Sequence, residues 1–219
     1  FLLFIFWHSV KCCADMTRSL AFLCLALTLT RLWGGEPIQT LVIGAKAPDF
    51  NLPGVDGRNH ALQDLAQAKI LMVVFTCAHC PTAQYYEERL KRIVNDYRDK
   101  GIAVVAISPN DPKSVRLDEL GYTDLSDSFE EMKIRAKYKQ FNFPFLYDGD
   151  QEDVSRAYGP VATPHVFVFD AERKLRYAGR IDDSEREEYV KTHDVRLALE
   201  ALLAGRAVET NVTESFGCS

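Results

Sequence analysis

Ile70-Leu71-Met72-Val73-Val74-Phe75-Thr76-Cys77-Ala78-His79-Cys80 is the stretch on which the fold turns. Six apolar residues in a row, 70–75, predict a strand covered on both faces, because a strand with one wet face would alternate. The residues after Cys80 read as a helix, so two thiols stand where a buried strand hands over to a helix. That arrangement predicts Cys77 at the helix N-terminus, where unpaired backbone N–H groups and the helix dipole stabilise a thiolate. A structural pair, or half of a zinc knuckle, would use the same two residues. A zinc site needs about four ligands, and the chain has no second Cys-x-x-Cys to supply them. Cys-x-x-Cys inside a βα unit therefore points to redox chemistry carried by Cys77 and Cys80.

Outward from the motif, Tyr86, Leu90, Ile93, Val94 and Tyr97 form one apolar helical stripe, and Gly101 suits the residue just past its end. The other face, with Glu87, Glu88, Arg89, Lys91 and Arg92, reads as solvated. Residues 102–107 predict the next buried strand, giving a right-handed βαβ unit with the dithiol at the carboxyl end of its first strand. Upstream, residues 47–62 read as a hairpin around Pro53-Gly54 and Asp56-Gly57, and 64–67 as a short helical connector. Downstream, 108–126 reads as a loop-rich insertion. Ser128-Phe129-Glu130-Glu131 is a capping box opening a helix to about Gln140. A strand at 145–147, a short helix at 152–158 and antiparallel strands at 165–169 and 174–179 follow. The last helix, 195–204, has Asp194 as its expected N-cap and Gly205 as its stop.

Thr163-Pro164 stands immediately before the strand at 165–169. A proline opening an edge strand is common by itself. Together with the dithiol it resembles the thioredoxin superfamily, in which a cis-proline at the start of a late strand packs against the Cys-x-x-Cys pair and leaves the preceding backbone free to pair with substrate. The order of elements is similar to the redoxin (AhpC/TSA-like) branch, shared by peroxiredoxins and exported thiol-disulfide oxidoreductases, over about residues 45–205. The resemblance implies an α/β thioredoxin-like fold, a central mixed sheet flanked by helices with an N-terminal β-hairpin. It also implies Thr163 and Pro164 beside the dithiol, and a redox-active Cys77–Cys80 disulfide in place of any bound cofactor or metal.

The implied activity is thiol-disulfide exchange: Cys77, expected to face solvent at the helix start as a low-pKa thiolate, attacks a disulfide sulfur in a partner and Cys80, inside the first helical turn, resolves the mixed disulfide. The partners are then protein thiols and disulfides, with a reductant or oxidant that resets the pair. His79 occupies the position that strongly oxidising relatives fill with histidine, where a cation would stabilise the thiolate; a solvent-facing side chain without effect is the plainer alternative. Ala78 stands where those relatives carry proline, which leaves the direction of electron flow open. A peroxiredoxin-like thiol peroxidase acting on hydroperoxides is the alternative activity, supported by Phe143-Pro144-Phe145-Leu146 and Asp148. Against it, Thr76 adjoins Cys77 and no proline lies in 73–76, whereas the peroxidatic motif sets a proline and a threonine several residues before its cysteine. A copper-binding assembly protein is a third reading, with Cys77, Cys80 and His165 as soft ligands, although copper-delivery relatives space their cysteines more widely. Asp182, Asp183 and Glu185 read as a charged turn.

The ends of the chain carry a separate signal. From Met16, residues 17–19 form a short basic region and 20–30 an apolar run of signal-peptide length, followed by the small residues of a cleavage site near Gly35. Residues 1–35 are thus expected to be upstream residues plus a signal peptide, 36–208 the redoxin domain and 209–219 a tail. Export to the periplasm or the extracellular space would place the dithiol where disulfides persist, with membrane contact only if the segment stays uncleaved. Removing residues 1–35 takes away Lys11, Arg18, Arg31 and Asp15 and leaves 23 basic against 30 acidic residues, a charge of −7. So acidic a chain argues against nucleic acid as a partner. Only Cys77, Cys80 and Cys218 survive that processing. Cys218 lies in a polar, mobile-looking tail and is either an idle thiol or a third exchange partner.

Overall fold

The strand predicted at Ile70–Phe75 is the centre of the sheet. In the computed structural model, which describes residues 39–113 and 126–218, this strand (β3) pairs in parallel with β4 (Ile102–Ser108) and antiparallel with β6 (His165–Phe169). β5 (Phe145–Tyr147) adds in parallel beyond β4, and β7 (Leu175–Gly179) antiparallel beyond β6, so the order is β5-β4-β3-β6-β7. A separate antiparallel hairpin, β1 (Asn51–Pro53) and β2 (Asn59–Ala61), precedes it and is tied to β5 by the Val55 N–H bond to the Phe145 carbonyl at 2.9 Å.

β3 has no wet face because both of its sides are roofed. Ile70, Met72 and Val74 point into a cluster with Tyr86, Leu90, Ile93 and Tyr97 of α1 (Pro81–Tyr97), Met132 of α2 (Phe129–Lys139), and Val195 and Leu199 of α4 (Asp194–Leu203). Leu71, Val73 and Phe75 point into the opposite cluster with Phe50, Phe167, Phe169 and Tyr158, the last from the short α3 (Asp153–Tyr158). Side chains alternate across a strand, so a continuous apolar run needs both layers. Each fully buried side chain of this kind contributes roughly 1.5–3 kcal/mol.

Local signals behave largely as read. Gly101 sits in the left-handed region at φ 79°, after a one-turn 3₁₀ extension of α1. At α2 the Ser128 hydroxyl accepts from the Glu131 N–H, but the Glu131 carboxylate reaches back to the Ser126 N–H at 3.1 Å rather than to that of Ser128. Asp194 is the first residue of α4 instead of its cap, and its carboxylate is engaged by Arg180 Nε at 2.8 Å.

The supposedly solvated face of α1 is not uniformly wet. Glu87 and Arg89 are buried, because Arg135 grips Glu87 through two hydrogen bonds and Asp182 receives Arg89 at 2.7 and 2.8 Å. The same pairing corrects the reading of 182–185 as a charged turn, since Asp182 is only 2% exposed. Residues from Gln39 onward form one compact unit. The expected signal segment, residues 1–35, and most of the insertion, 114–125, lie outside the described residues. Among the described residues no helix is long and apolar enough to cross a membrane.

Candidate active site

β3 ends at Phe75, which faces His165 at the start of β6. The turn carrying Cys77 and the loop carrying Thr163 are therefore brought together by register alone. The Thr163–Pro164 peptide bond is cis. Cys77 Sγ lies 3.2 Å from the Thr163 hydroxyl, and Cys80 Sγ 3.6 Å from the Thr163 carbonyl oxygen.

The helix begins one turn later than the spacing suggested. Pro81 takes its first position, where a missing N–H costs nothing, and Cys80 is the N-cap. Cys77 thus lies in the preceding bend, and at 3% exposure it does not face solvent. Burial pushes the Cys77 thiol up, the negative charge of Asp127 adds to that, and contact with His79 opposes both. The expected low-pKa, exposed nucleophile is in this form a covered thiol.

His79 is likewise buried, at 4% exposure, rather than solvent-facing. Its Nδ1 lies 2.5 Å from Asp127 Oδ2. Burial alone would lower the imidazole, but hydrogen bonds to Asp127 and Cys77 and the charges behind them outweigh it and raise His79 from 6.5 to about 10. Asp127 is the hub. Its Oδ1 accepts the N–H groups of Ala78 and His79 at 2.7 and 2.9 Å, and its Oδ2 also accepts Asn110 Nδ2 at 2.6 Å. Burial would raise this carboxyl, yet these donors, His79 foremost, hold it below the usual carboxylate range. The backbone N–H groups expected to favour the Cys77 thiolate are thus turned onto Asp127.

Neither Asp127 nor Asn110 was singled out by sequence. Asp127 stands between two serines at a helix start, where an acidic residue reads as ordinary capping, and its partners His79 and Ala78 are 48 and 49 residues away. Among the described residues Cys77, His79 and Asp127 are the one group whose ligand atoms lie mutually within 4.8 Å. The copper set of Cys77, Cys80 and His165 is not the group that converges. His165 instead accepts the Val161 N–H at 3.2 Å and stacks on Phe167, and burial lowers it to about 4.

The pairing of sulfurs differs from the expected one. Cys80 is bonded to Cys218, and Cys77 is the free thiol. The tail that looked mobile and polar is docked, and the disulfide is not Cys77–Cys80. All three sulfurs belong to one cluster with Ala83.

A thioredoxin-like sheet with two cysteines, Cys77 and Cys80, just past the carboxyl end of its central strand, in a chain matched by the redoxin family model, defines an oxidoreductase of the redoxin branch of the thioredoxin superfamily. The AhpC/TSA family model matches residues 43–178, and the chain belongs to that family. A solved structure of an uncharacterized conserved protein from Geobacillus kaustophilus is 35% identical, with a TM-score of 0.73, covering 85% of this chain and 96% of its own. The thiol-disulfide oxidoreductase ResA of Geobacillus thermodenitrificans is 24% identical over 153 residues, 70% of this chain and 76% of that protein. Peroxidoxin BcpB from Mycobacterium tuberculosis is similar in fold, at 20% identity and a TM-score of 0.54 over 75% of this chain and 97% of its own.

Proposed function

We propose that the protein is a thiol-disulfide oxidoreductase acting on disulfides of other polypeptides, with Cys77 as nucleophile and Cys80 as resolving cysteine. The observation that carries this reading is at Thr163. Its N–H and hydroxyl both bind the backbone of a cysteine-bearing segment, at 2.8 and 3.3 Å, whose sulfur is bonded within the site. A pocket for a hydroperoxide needs no such backbone edge; a peptide disulfide does.

In the forward step the Cys77 thiolate attacks one sulfur of the partner disulfide and the other leaves as a thiolate. Cys80 then attacks the Cys77 sulfur, so Cys77–Cys80 forms and the partner departs reduced. The imidazolium of His79, held by Asp127, sits beside the sulfur on which the charge develops. Replacing Cys80 with serine should leave partner proteins trapped on Cys77 as mixed disulfides, separable on non-reducing gels. Consumption of hydroperoxide by the Cys80→Ser variant at the wild-type rate, with no trapped partner, would replace this reading with a peroxidase. For location we propose export with processing near Glu36, on the strength of the basic and apolar segments after Met16. N-terminal sequencing of the mature protein checks it.

A further inference from the structure

The Thr163 edge that a partner's backbone would use is occupied by this chain's own C-terminal segment, and the approach is built over several residues. The Ala178 N–H donates to the Asn211 carbonyl at 3.0 Å and the Thr213 N–H to the Ala178 carbonyl at 3.1 Å, which extends the sheet past β7. The Thr213 hydroxyl meets Tyr177 Oη at 2.7 Å and accepts the Arg180 N–H at 3.0 Å. Phe216 packs on Tyr86, 6.4 Å between ring centroids. Gly217 has a φ of 148°, and a Cβ there would lie 2.0 Å from the Thr163 carbonyl oxygen. Glycine is the residue that tolerates both the conformation and the approach. Cys218 then pairs with Thr163 as an antiparallel bridge.

We propose that Cys218 is a third redox cysteine of this site, a relay that draws the disulfide off Cys77–Cys80, the product of partner reduction, and stores it reversibly as Cys80–Cys218 with Cys77 free. This rests on the thiol-disulfide reading above. Cys218 attacks the Cys80 sulfur; the Cys80–Cys218 bond forms, the Cys77–Cys80 bond breaks, and the proton lost from Cys218 is matched by one gained on the departing Cys77 sulfur, the reverse exchange being favoured as Cys77 deprotonates. One disulfide replaces another, so no outside oxidant or reductant is consumed. The Thr163 hydroxyl ties docking to this step. It has one proton, and while that proton is given to the Cys218 carbonyl its oxygen accepts from the Cys77 thiol, which stays protonated. Once a thiol reductant opens Cys80–Cys218 and the tail is released, the hydroxyl is free to donate to the Cys77 sulfur and Thr163 is clear for an external peptide.

Disulfide mapping by mass spectrometry, on full chain oxidised with a small disulfide and acid-quenched with an alkylating reagent, tests this. Expected are Cys80–Cys218 with Cys77 alkylated, conversion to Cys77–Cys80 with Cys218 alkylated as pH is raised, and Cys80–Cys218 alone in Cys77→Ser. Gly217→Ala, which leaves the core untouched, should lower the ratio of Cys80–Cys218 to Cys77–Cys80 at least about tenfold. Cys77–Cys80 alone in the wild type, together with free Cys80 and Cys218 in oxidised Cys77→Ser, would overturn the proposal. Reduction of a peptide disulfide is assayed in parallel. Activity without any Cys80–Cys218 species removes the relay and keeps the oxidoreductase. Tail exchange without activity on any peptide disulfide removes the external substrate instead.

Discussion

Asp127 and Asp182 are both buried carboxylates packed against α1, one just before its amino end and one against its middle. Asp182 accepts two bonds from Arg89 Nη1 and one from Tyr86 Oη at 3.0 Å, while the Arg89 guanidinium lies 3.8 Å over the Tyr86 ring. A guanidinium stays charged at any working pH and holds a carboxylate in a fixed fork. That pair anchors residues 181–185 to the helix and has nothing to transfer. Asp127 meets an imidazole, which can gain or lose a proton, and the imidazole meets a thiol. The same acidic group is scaffold in one place and reactive machinery in the other, and what differs is whether its partner titrates.

Four experiments sharpen or break this contrast, in order of falling effect. Cys77→Ser should lower the rate of peptide-disulfide reduction by more than about 10³-fold, since the reaction loses its nucleophile, with an unchanged urea midpoint. Asp182→Ala strands the buried Arg89 charge and should cost about 3–5 kcal/mol in urea unfolding, while turnover per folded molecule stays near wild type; a comparable loss of turnover would erase the distinction between the two sites. Asp127→Asn should reduce turnover about 10²-fold. In that variant burial is no longer opposed by a carboxylate, so an NMR titration should find His79 well below 10. The smallest effect is a pH dependence. A folded-state value above the unfolded one gives stability that is fully present below 6.5 and is lost as pH rises to about 10. In a Cys77→Ser background, which removes the thiol's titration and its share of the raised imidazole value, the stability gap between His79 and His79→Gln should be largest at pH 6.5 and should close at a pH below 10.

Elements whose reasons are local were legible. The apolar run 70–75 gives β3 with the same bounds, and the register of β3 against β6 carries Thr163 to Cys77. Thioredoxin-like architecture and the dithiol followed from a motif whose neighbours in sequence are its neighbours in space. The parts that escaped depend on distant partners. Asp127 reaches the motif across 48 residues and Asn110 reaches Asp127 across 17, with nothing beside either in sequence to mark the contact, while Cys218, open in sequence between an idle thiol and a third exchange partner, is bonded to Cys80 across 138. Burial of Arg89 was hidden for the same reason, because its partner is 93 residues away. The exposure assigned to Cys77 failed for another cause: the start of α1 was placed one turn early, and Pro81 at its first position fixes the true one.

The bond between Cys80 and Cys218 spans 138 residues, so four of the five strands of the central sheet and all four described α-helices lie inside one covalent ring. Closing a ring of that size removes conformational freedom from the unfolded chain worth about 5 kcal/mol. Passing the disulfide to Cys77 shrinks the ring to four residues and returns about 3 kcal/mol of that freedom. Melting temperature therefore reports which cysteine holds the bond, and the tail's chemistry sets how firmly the entire domain resists unfolding.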